Sequence, residues 1–397
     1  MTQQDPYHGA FQQSGPALPG QWPAFPAVTA QPGPANSPQH PPPATAAVDG
    51  RSDQGPPPAN APHDRGAPPR LPDPDERPGP PVFQGAPATS GLSALDYLDI
   101  RRRQVPARKG WRGCLYKGTG INLGPGKDES YELSLHEQIR GIVRTTFPIA
   151  VLNVKGGVGK TVVCETLGSV FADVRGDRVI AVDLDTDAGN LVDRHGRQSS
   201  MSLLDLASDT SVARYLDVRA HTSMNGSRLE VLAAPDYPRT DRRVERDDVL
   251  NVMAILRDHY SLVLMDCGTT LKSPVMEAVL REARALVVVC GASIDAMKET
   301  QLTLEWLRHN NFQHLLESTV LAINHTEPGK STTLVAKAVE HFSREVRPER
   351  VIVMPFDSHV HDGREIVLEL LSRKSQRRYL EMAAALSHIF PRLADRD

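Results

Sequence analysis

Nine residues constrain this chain most. Asn153 to Thr161 read N-V-K-G-G-V-G-K-T, closing an apolar run and opening a helix-periodic stretch from Val162 to Asp173. Strand, glycine loop and helix in that order let successive backbone N–H groups converge on phosphate at a helix N-terminus. Gly156, Gly157 and Gly159 permit backbone conformations closed to other residues. Such a loop assigns Lys160 to the β- and γ-phosphates of a nucleotide and the Thr161 hydroxyl to Mg²⁺. The general G-x-x-x-x-G-K-[ST] pattern wants glycine where Val154 stands, and Lys155 adds a second positive charge five residues before Lys160.

The residues after the loop predict the architecture. Apolar runs at Ile149 to Val154, Val179 to Leu184, Leu229 to Ala233, Leu262 to Met265, Ala285 to Cys290, Thr319 to Ile323 and Arg350 to Met354 alternate with helix-periodic stretches. Most are continuously apolar, as strands buried on both faces are, which predicts an α/β fold: a P-loop NTPase with a mostly parallel sheet flanked by helices. Ligands of such sheets bind at the carboxyl ends of the strands.

This domain is expected over residues 147–392, after a disordered Pro-rich region at 1–90 and a basic linker and pre-domain segment at 91–146. Of the 33 prolines in 397 residues, 23 fall in the first 90, too polar a stretch to offset its ordering entropy. Net charge is −3 overall, yet residues 91–113 carry six basic and two acidic groups, a patch that suits anionic lipid, nucleic acid or an acidic partner and also fits a plain solvated run. The four cysteines, Cys114, Cys164, Cys267 and Cys290, form no C-x-x-C pair, which argues against a zinc site or disulfide framework and fits a reducing cytosol. With no apolar run of about 18 residues and no secretory signal, the expectation is a soluble cytoplasmic protein whose membrane role, if any, is peripheral at the inner face.

The loop K-G-G-V-G-K-T resembles the deviant Walker A signature of the MinD/ParA group of P-loop ATPases, over roughly residues 147–392. That resemblance implies ATP and Mg²⁺ as ligands, with nucleotide contacts along Gly156, Gly157, Val158, Gly159, Lys160, Thr161 and Val162. It also implies a face-to-face ATP-dependent homodimer in which Lys155 reaches the partner's ATP. V-D-L-D-T-D-A-G-N is similar to the switch I segment, with Asp185 orienting the attacking water and Asp183 beside the metal. Asp266 stands where the Walker B carboxylate holds Mg²⁺, with Thr161 and Asp183 completing the expected metal set. Asn324 resembles the asparagine that reads the adenine edge, and Pro355 to Asp357 the segment that packs on the base. Catalysis is thus expected from Lys155, Lys160 and Asp185. Thr186-Asp187 and Cys267 to Thr270 depart from the usual switch sequences.

The words G-W-R and G-x-N-L-G-P, within G-W-R-G-C-L-Y-K-G-T-G-I-N-L-G-P-G, together with the Pro-rich leader resemble EspI-like proteins of actinobacterial ESX (type VII) secretion loci. This implies an ATPase that regulates secretion, with ESX components as partners through the Pro-rich region. Two alternatives remain at this stage. One is a positioning ATPase for chromosome partitioning, division-site or flagellar placement, with Arg373, Lys374, Arg377 and Arg378 as DNA phosphate contacts. The other is a weakly hydrolysing nucleotide-binding scaffold. Leu380, Ala383, Leu386 and Phe390 recur at helical spacing and are expected to pack on the sheet.

Overall fold

The computed structural model describes residues 106, 107, 110–186, 189–237, 240–329 and 332–390. The Pro-rich region, most of the basic linker and Asp187 lie outside the described residues.

The elements run α1 (Gly110–Thr119), α2 (Lys127–Ile139), β1 (Phe147–Leu152), α3 (Lys160–Arg175), β2 (Val179–Leu184), α4 (Leu191–His195), α5 (Leu203–Ser208), α6 (Tyr215–Arg219), β3 (Ser223–Met224) and β4 (Leu229–Leu232). They continue with α7 (Arg246–Arg257), β5 (Leu262–Cys267), α8 (Pro274–Glu282), β6 (Ala285–Gly291), α9 (Ile294–His309), α10 (Gln313–Glu317), β7 (Thr319–Asn324), α11 (Thr332–Phe342), β8 (Val351–Met354), α12 (Ser358–His361) and α13 (Arg373–Ser387).

The strands form one sheet of order β3-β4-β2-β5-β1-β6-β7-β8, parallel throughout except for the β3–β4 pair. All six residues of β1, β2 and β5 are buried, because helices cover both faces. Successive residues of β1 therefore serve different cores. Ala150 and Leu152 pack with α5, α7, α8 and α9, whereas Ile149 and Val151 pack with α2, α3 and α13. Ile149, Val151 and Leu152 each contribute about 1.5–3 kcal/mol by leaving water.

The core extends N-terminal of β1. Helix α2 buries Leu135 and Ile139, and its acidic residues Asp128 and Glu132 each lie 3.4 Å from the Arg377 guanidinium on α13. Arg378 pairs with Glu381 at 2.6 Å. Two of the four basic residues considered for DNA contacts are thus engaged within the fold. On the other face of α13, Ala383 and Leu386 are buried, and beyond its end Phe390 meets Phe147 edge to face at 4.9 Å. The expected packing of this helix against the sheet is observed.

Strand order positions the site. β1 lies at the centre with β5 on one side and β6 on the other, so the loop leaving β1 emerges where neighbouring connections diverge to opposite faces.

Candidate functional site

The loop is fastened before it turns. Asn153 is buried at the end of β1, and its amide donates to the Val289 carbonyl at 2.7 Å and the Thr300 hydroxyl at 2.8 Å. Its Oδ1 accepts from the Lys155 backbone N–H at 3.1 Å. Gly157 and Gly159 then take φ of 74° and 92°, values only glycine adopts freely. Gly159 caps α3, and a Cβ there would stand 2.4 Å from Asn324 Nδ2.

That close approach has a cause. The Asn324 amide donates to the Val158 carbonyl at 2.8 Å, so it clamps the loop as well as lining the cavity above it. The Val158 side chain faces the core rather than the cavity.

A cavity of about 470 Å³ opens at this end of the sheet. Gly156, Gly157, Gly159, Lys160, Thr161 and Val162 line one end, with Asp185 and Thr269 beside them. Asn324, Met354, Pro355, Phe356, Asp357, Val360 and His361 line the other. Most sequence-predicted site residues are thus brought together.

Asp357 does more than line the wall. It accepts from the backbone N–H of His359 at 3.1 Å and of Ser372 at 2.9 Å, and so caps α12 and holds the residue before α13. Burial pushes its carboxyl up, but hydrogen bonds from Ser375, Ser372 and His359 outweigh that and hold it below the usual carboxylate range.

Two carboxylates lie at the floor. Asp183 and Asp266 are in register on adjacent strands β2 and β5, each 1% exposed. Asp183 accepts from the Asp185 N–H at 3.2 Å and the Leu191 N–H at 3.0 Å, which shapes the turn into α4. Both oxygens of Asp266 are buried without a hydrogen-bond partner among the described residues. Burial, then the neighbouring Asp183 charge, push the Asp266 carboxyl well up, with Thr161 and Lys160 acting the other way. Burial likewise raises Asp183, against the two backbone donors.

An orphaned pair of buried carboxylate oxygens beside a threonine hydroxyl is an all-oxygen donor set that fits a hard divalent cation such as Mg²⁺. Asp266 and Thr161 are the better-placed ligands, because Asp183 already accepts two backbone bonds.

The altered switch residues also have places. A Cβ on Gly268 would lie 3.2 Å from Asp185 Oδ1, so a glycine here lets the chain pass close to that carboxylate. Lys155 does not line the cavity, and its ammonium makes no ion pair or hydrogen bond among the described residues.

Three contributors were not legible beforehand. Arg194 on α4 lines the cavity and donates to the Val360 carbonyl at 3.2 Å, across 166 residues of chain. Tyr379 reaches the wall from α13. Behind the wall, His195 Nδ1 lies 3.0 Å from Glu165 Oε1, with both side chains fully buried, and ties α4 to α3. Only Asn153 left a sequence signal, as an amide ending an otherwise apolar strand.

Comparison with known proteins follows the same lines. The family model described as CobQ/CobB/MinD/ParA nucleotide binding domain matches residues 149–366. The ESX-1 secretion-associated protein EspI of Mycobacterium tuberculosis is 42% identical over 293 residues, 74% of this chain and 44% of that protein. The chain therefore spans less than half the length of this curated relative. The sporulation initiation inhibitor protein Soj of Bacillus subtilis is 23% identical over 256 residues, 59% of this chain and 96% of the relative. Among solved structures, a ParA family ATPase from Chlorobium tepidum superposes with a TM-score of 0.51 at 15% identity, covering 60% of this chain and 98% of the other, which shows the shared fold.

Proposed function

Because the chain belongs to the CobQ/CobB/MinD/ParA nucleotide-binding family, we propose that it binds ATP with Mg²⁺, hydrolyses it, and uses the bound triphosphate to hold two copies face to face. The observation that carries this reading is Asp266, whose two orphaned buried oxygens sit beside Thr161 at the foot of the phosphate loop. A buried carboxylate without donors is costly unless a cation completes it.

Each residue has a task in this reading. The loop N–H groups from Gly156 to Thr161 hold the phosphates, and buried Lys160 neutralises the subunit's own β- and γ-oxygens. Mg²⁺, when bound by Thr161 and Asp266, supplies charge neutralisation between the phosphates. Asp185, which lines the cavity beside Thr269, orients the attacking water rather than removing its proton outright, since an ordinary carboxylate is a weak base at neutral pH. Pro355, Phe356 and Val360 supply an apolar wall for the base, with Asn324 and Asp357 maintaining its shape.

Lys155 serves the neighbouring subunit. Two ammonium groups on one phosphate cluster repel, and Lys155, unlike Lys160, is not among the residues that line the cavity. A cation delivered in trans accelerates phosphoryl transfer by roughly 10³ to 10⁵, whereas an exposed charge contributes under about 1 kcal/mol to stability. ATP binding then favours the paired state and hydrolysis releases it, a switch set by differential contacts to the terminal phosphate.

The similarity to EspI supports type VII (ESX) secretion as the process this switch regulates, in the cytoplasm, with secretion components as partners. The direct test is ATP turnover with and without Mg²⁺, comparing the parent with Asp185→Ala. A parent that turns over ATP no faster than the variant contradicts hydrolysis.

A further inference from the structure

Beside Asp185 the cavity wall carries a hydroxyl with no task. Asp183 pairs with Asp266 and Leu184 with Cys267 across β2 and β5, and both strands end there, so one further step of that register sets Asp185 opposite Gly268. The approach is close: a Cβ on Gly268 would stand 3.2 Å from Asp185 Oδ1 and 3.7 Å from Asp185 Cα. Glycine leaves the carboxylate uncrowded, and the next side chain along the wall is that of Thr269. Thr269 is half-buried and lines the cavity together with Asp185, Lys160 and Thr161. Its hydroxyl makes no hydrogen bond among the described residues. Cys267 to Thr270 is also where the chain departs from the usual switch sequences, so family resemblance gives this hydroxyl no role.

We propose, resting on the reading of this cavity as a site of ATP hydrolysis, that Thr269 is a second water-positioning residue: its hydroxyl oxygen accepts one O–H of the attacking water while Asp185 accepts the other. A water held by one acceptor still turns about that hydrogen bond. Held by two, it directs a lone pair at the terminal phosphorus, and such orientation lowers the barrier without tightening the ground state. A carboxylate only accepts, whereas a hydroxyl also donates, so Thr269 can give its own hydrogen bond to a phosphate oxygen. In the reaction the water oxygen bonds to phosphorus as the bridging P–O bond breaks, its electron pair leaving on ADP. One water proton stays on the released phosphate and the other passes to solvent.

Thr269→Val keeps the side chain's shape and removes the hydroxyl, and Thr269→Ser restores it. Full-length parent, both variants and Asp185→Ala are compared in Mg²⁺-dependent ATP turnover. Calorimetry then measures binding of a non-hydrolysable ATP analogue and of ADP with aluminium fluoride, which mimics the phosphoryl group in transfer. Thr269→Val is expected to lower kcat about tenfold, the effect of one neutral hydrogen bond made in the transition state, and to weaken the aluminium fluoride complex by a similar factor. Affinity for the ATP analogue stays close to parental, because the ground state does not use this bond. Thr269→Ser recovers most of the loss, and Thr269→Val adds little further loss to Asp185→Ala, since both act on one water. Matching melting temperatures check that the variants are folded, and Thr269→Ala gives the same readings where valine disturbs the loop. Parental turnover by Thr269→Val, equal weakening of both complexes, no recovery with serine, or losses that multiply with Asp185→Ala overturn the proposal and leave the hydrolysis reading standing. A parent without turnover overturns both.

Discussion

Asp183 and Asp266 stand side by side on neighbouring parallel strands, both buried, yet only Asp183 accepts backbone hydrogen bonds. The pair places an unbalanced charge at the floor of the cavity, and several measurable consequences follow from how that charge is relieved.

Without a cation the floor is destabilising. The folded-state pKa of Asp266 is raised, so the folded protein holds a proton that the unfolded chain has released. The contribution of this group to the stability of the metal-free protein is therefore greatest in acid and falls as pH rises past the ordinary carboxylate range. Asp266→Asn removes this group's share of the dependence, leaving that of Asp183, and should raise the metal-free melting temperature by roughly 3 °C. It should also abolish the extra stabilisation that Mg²⁺ adds to ATP. Thermal melts across pH, with and without Mg²⁺, check both signs, and a lower melting temperature for the variant contradicts the account.

Gly159→Ala should weaken nucleotide binding. The new Cβ would be 2.4 Å from Asn324 Nδ2, and φ of 92° is strained for any side chain. The loop must shift by several tenths of an ångström, which misaligns the N–H groups that hold phosphate. Isothermal titration with ATP should show affinity reduced by at least about tenfold, and parental affinity counts against the loop assignment.

Arg194→Ala tests the connection between α4 and the cavity wall at Val360. Its guanidinium lines the cavity and holds the Val360 carbonyl. Loss of both contacts should weaken ATP binding about tenfold, or about 1.4 kcal/mol, with little change in unfolding free energy. Unchanged affinity would leave Arg194 a structural tie alone.

The His195–Glu165 pair supports the site from beneath. Glu165 also accepts from Asn225 Nδ2 at 3.0 Å, so Glu165→Ala leaves several buried donors without an acceptor. The expected cost is about 3–5 kcal/mol in urea unfolding. A cost under about 1 kcal/mol contradicts the pair's structural role.

Much of this was readable in the chain because local chemistry dictated it. Val179–Leu184 matches its expected limits, and the other long strands do so within two residues, since continuous apolar runs mark strands covered on both faces. β3 left no trace because Ser223–Met224 is two residues long and has no periodicity to read. The helix after the loop begins at Lys160 rather than Val162, because its first turn faces the cavity instead of the core. Lys160 and Thr161 were legible from the spacing of one strand–loop–helix unit, and Asp185 and Asp266 through resemblance to the family's motifs. Arg194, Tyr379 and the clamping role of Asn324 were not, because each depends on contacts between segments far apart in the chain. Lys160 lines the cavity and Lys155 does not, and the role of Lys155 comes from resemblance alone.

The central claim is that Lys155 acts across a dimer interface. Sedimentation equilibrium of the parent and Lys155→Ala, each with a non-hydrolysable ATP analogue and Mg²⁺, tests it most directly. The account predicts a nucleotide-dependent dimer for the parent, a monomer for the variant with nucleotide binding retained, and turnover reduced by roughly 10³-fold. A variant that dimerises and hydrolyses ATP as the parent does would contradict it.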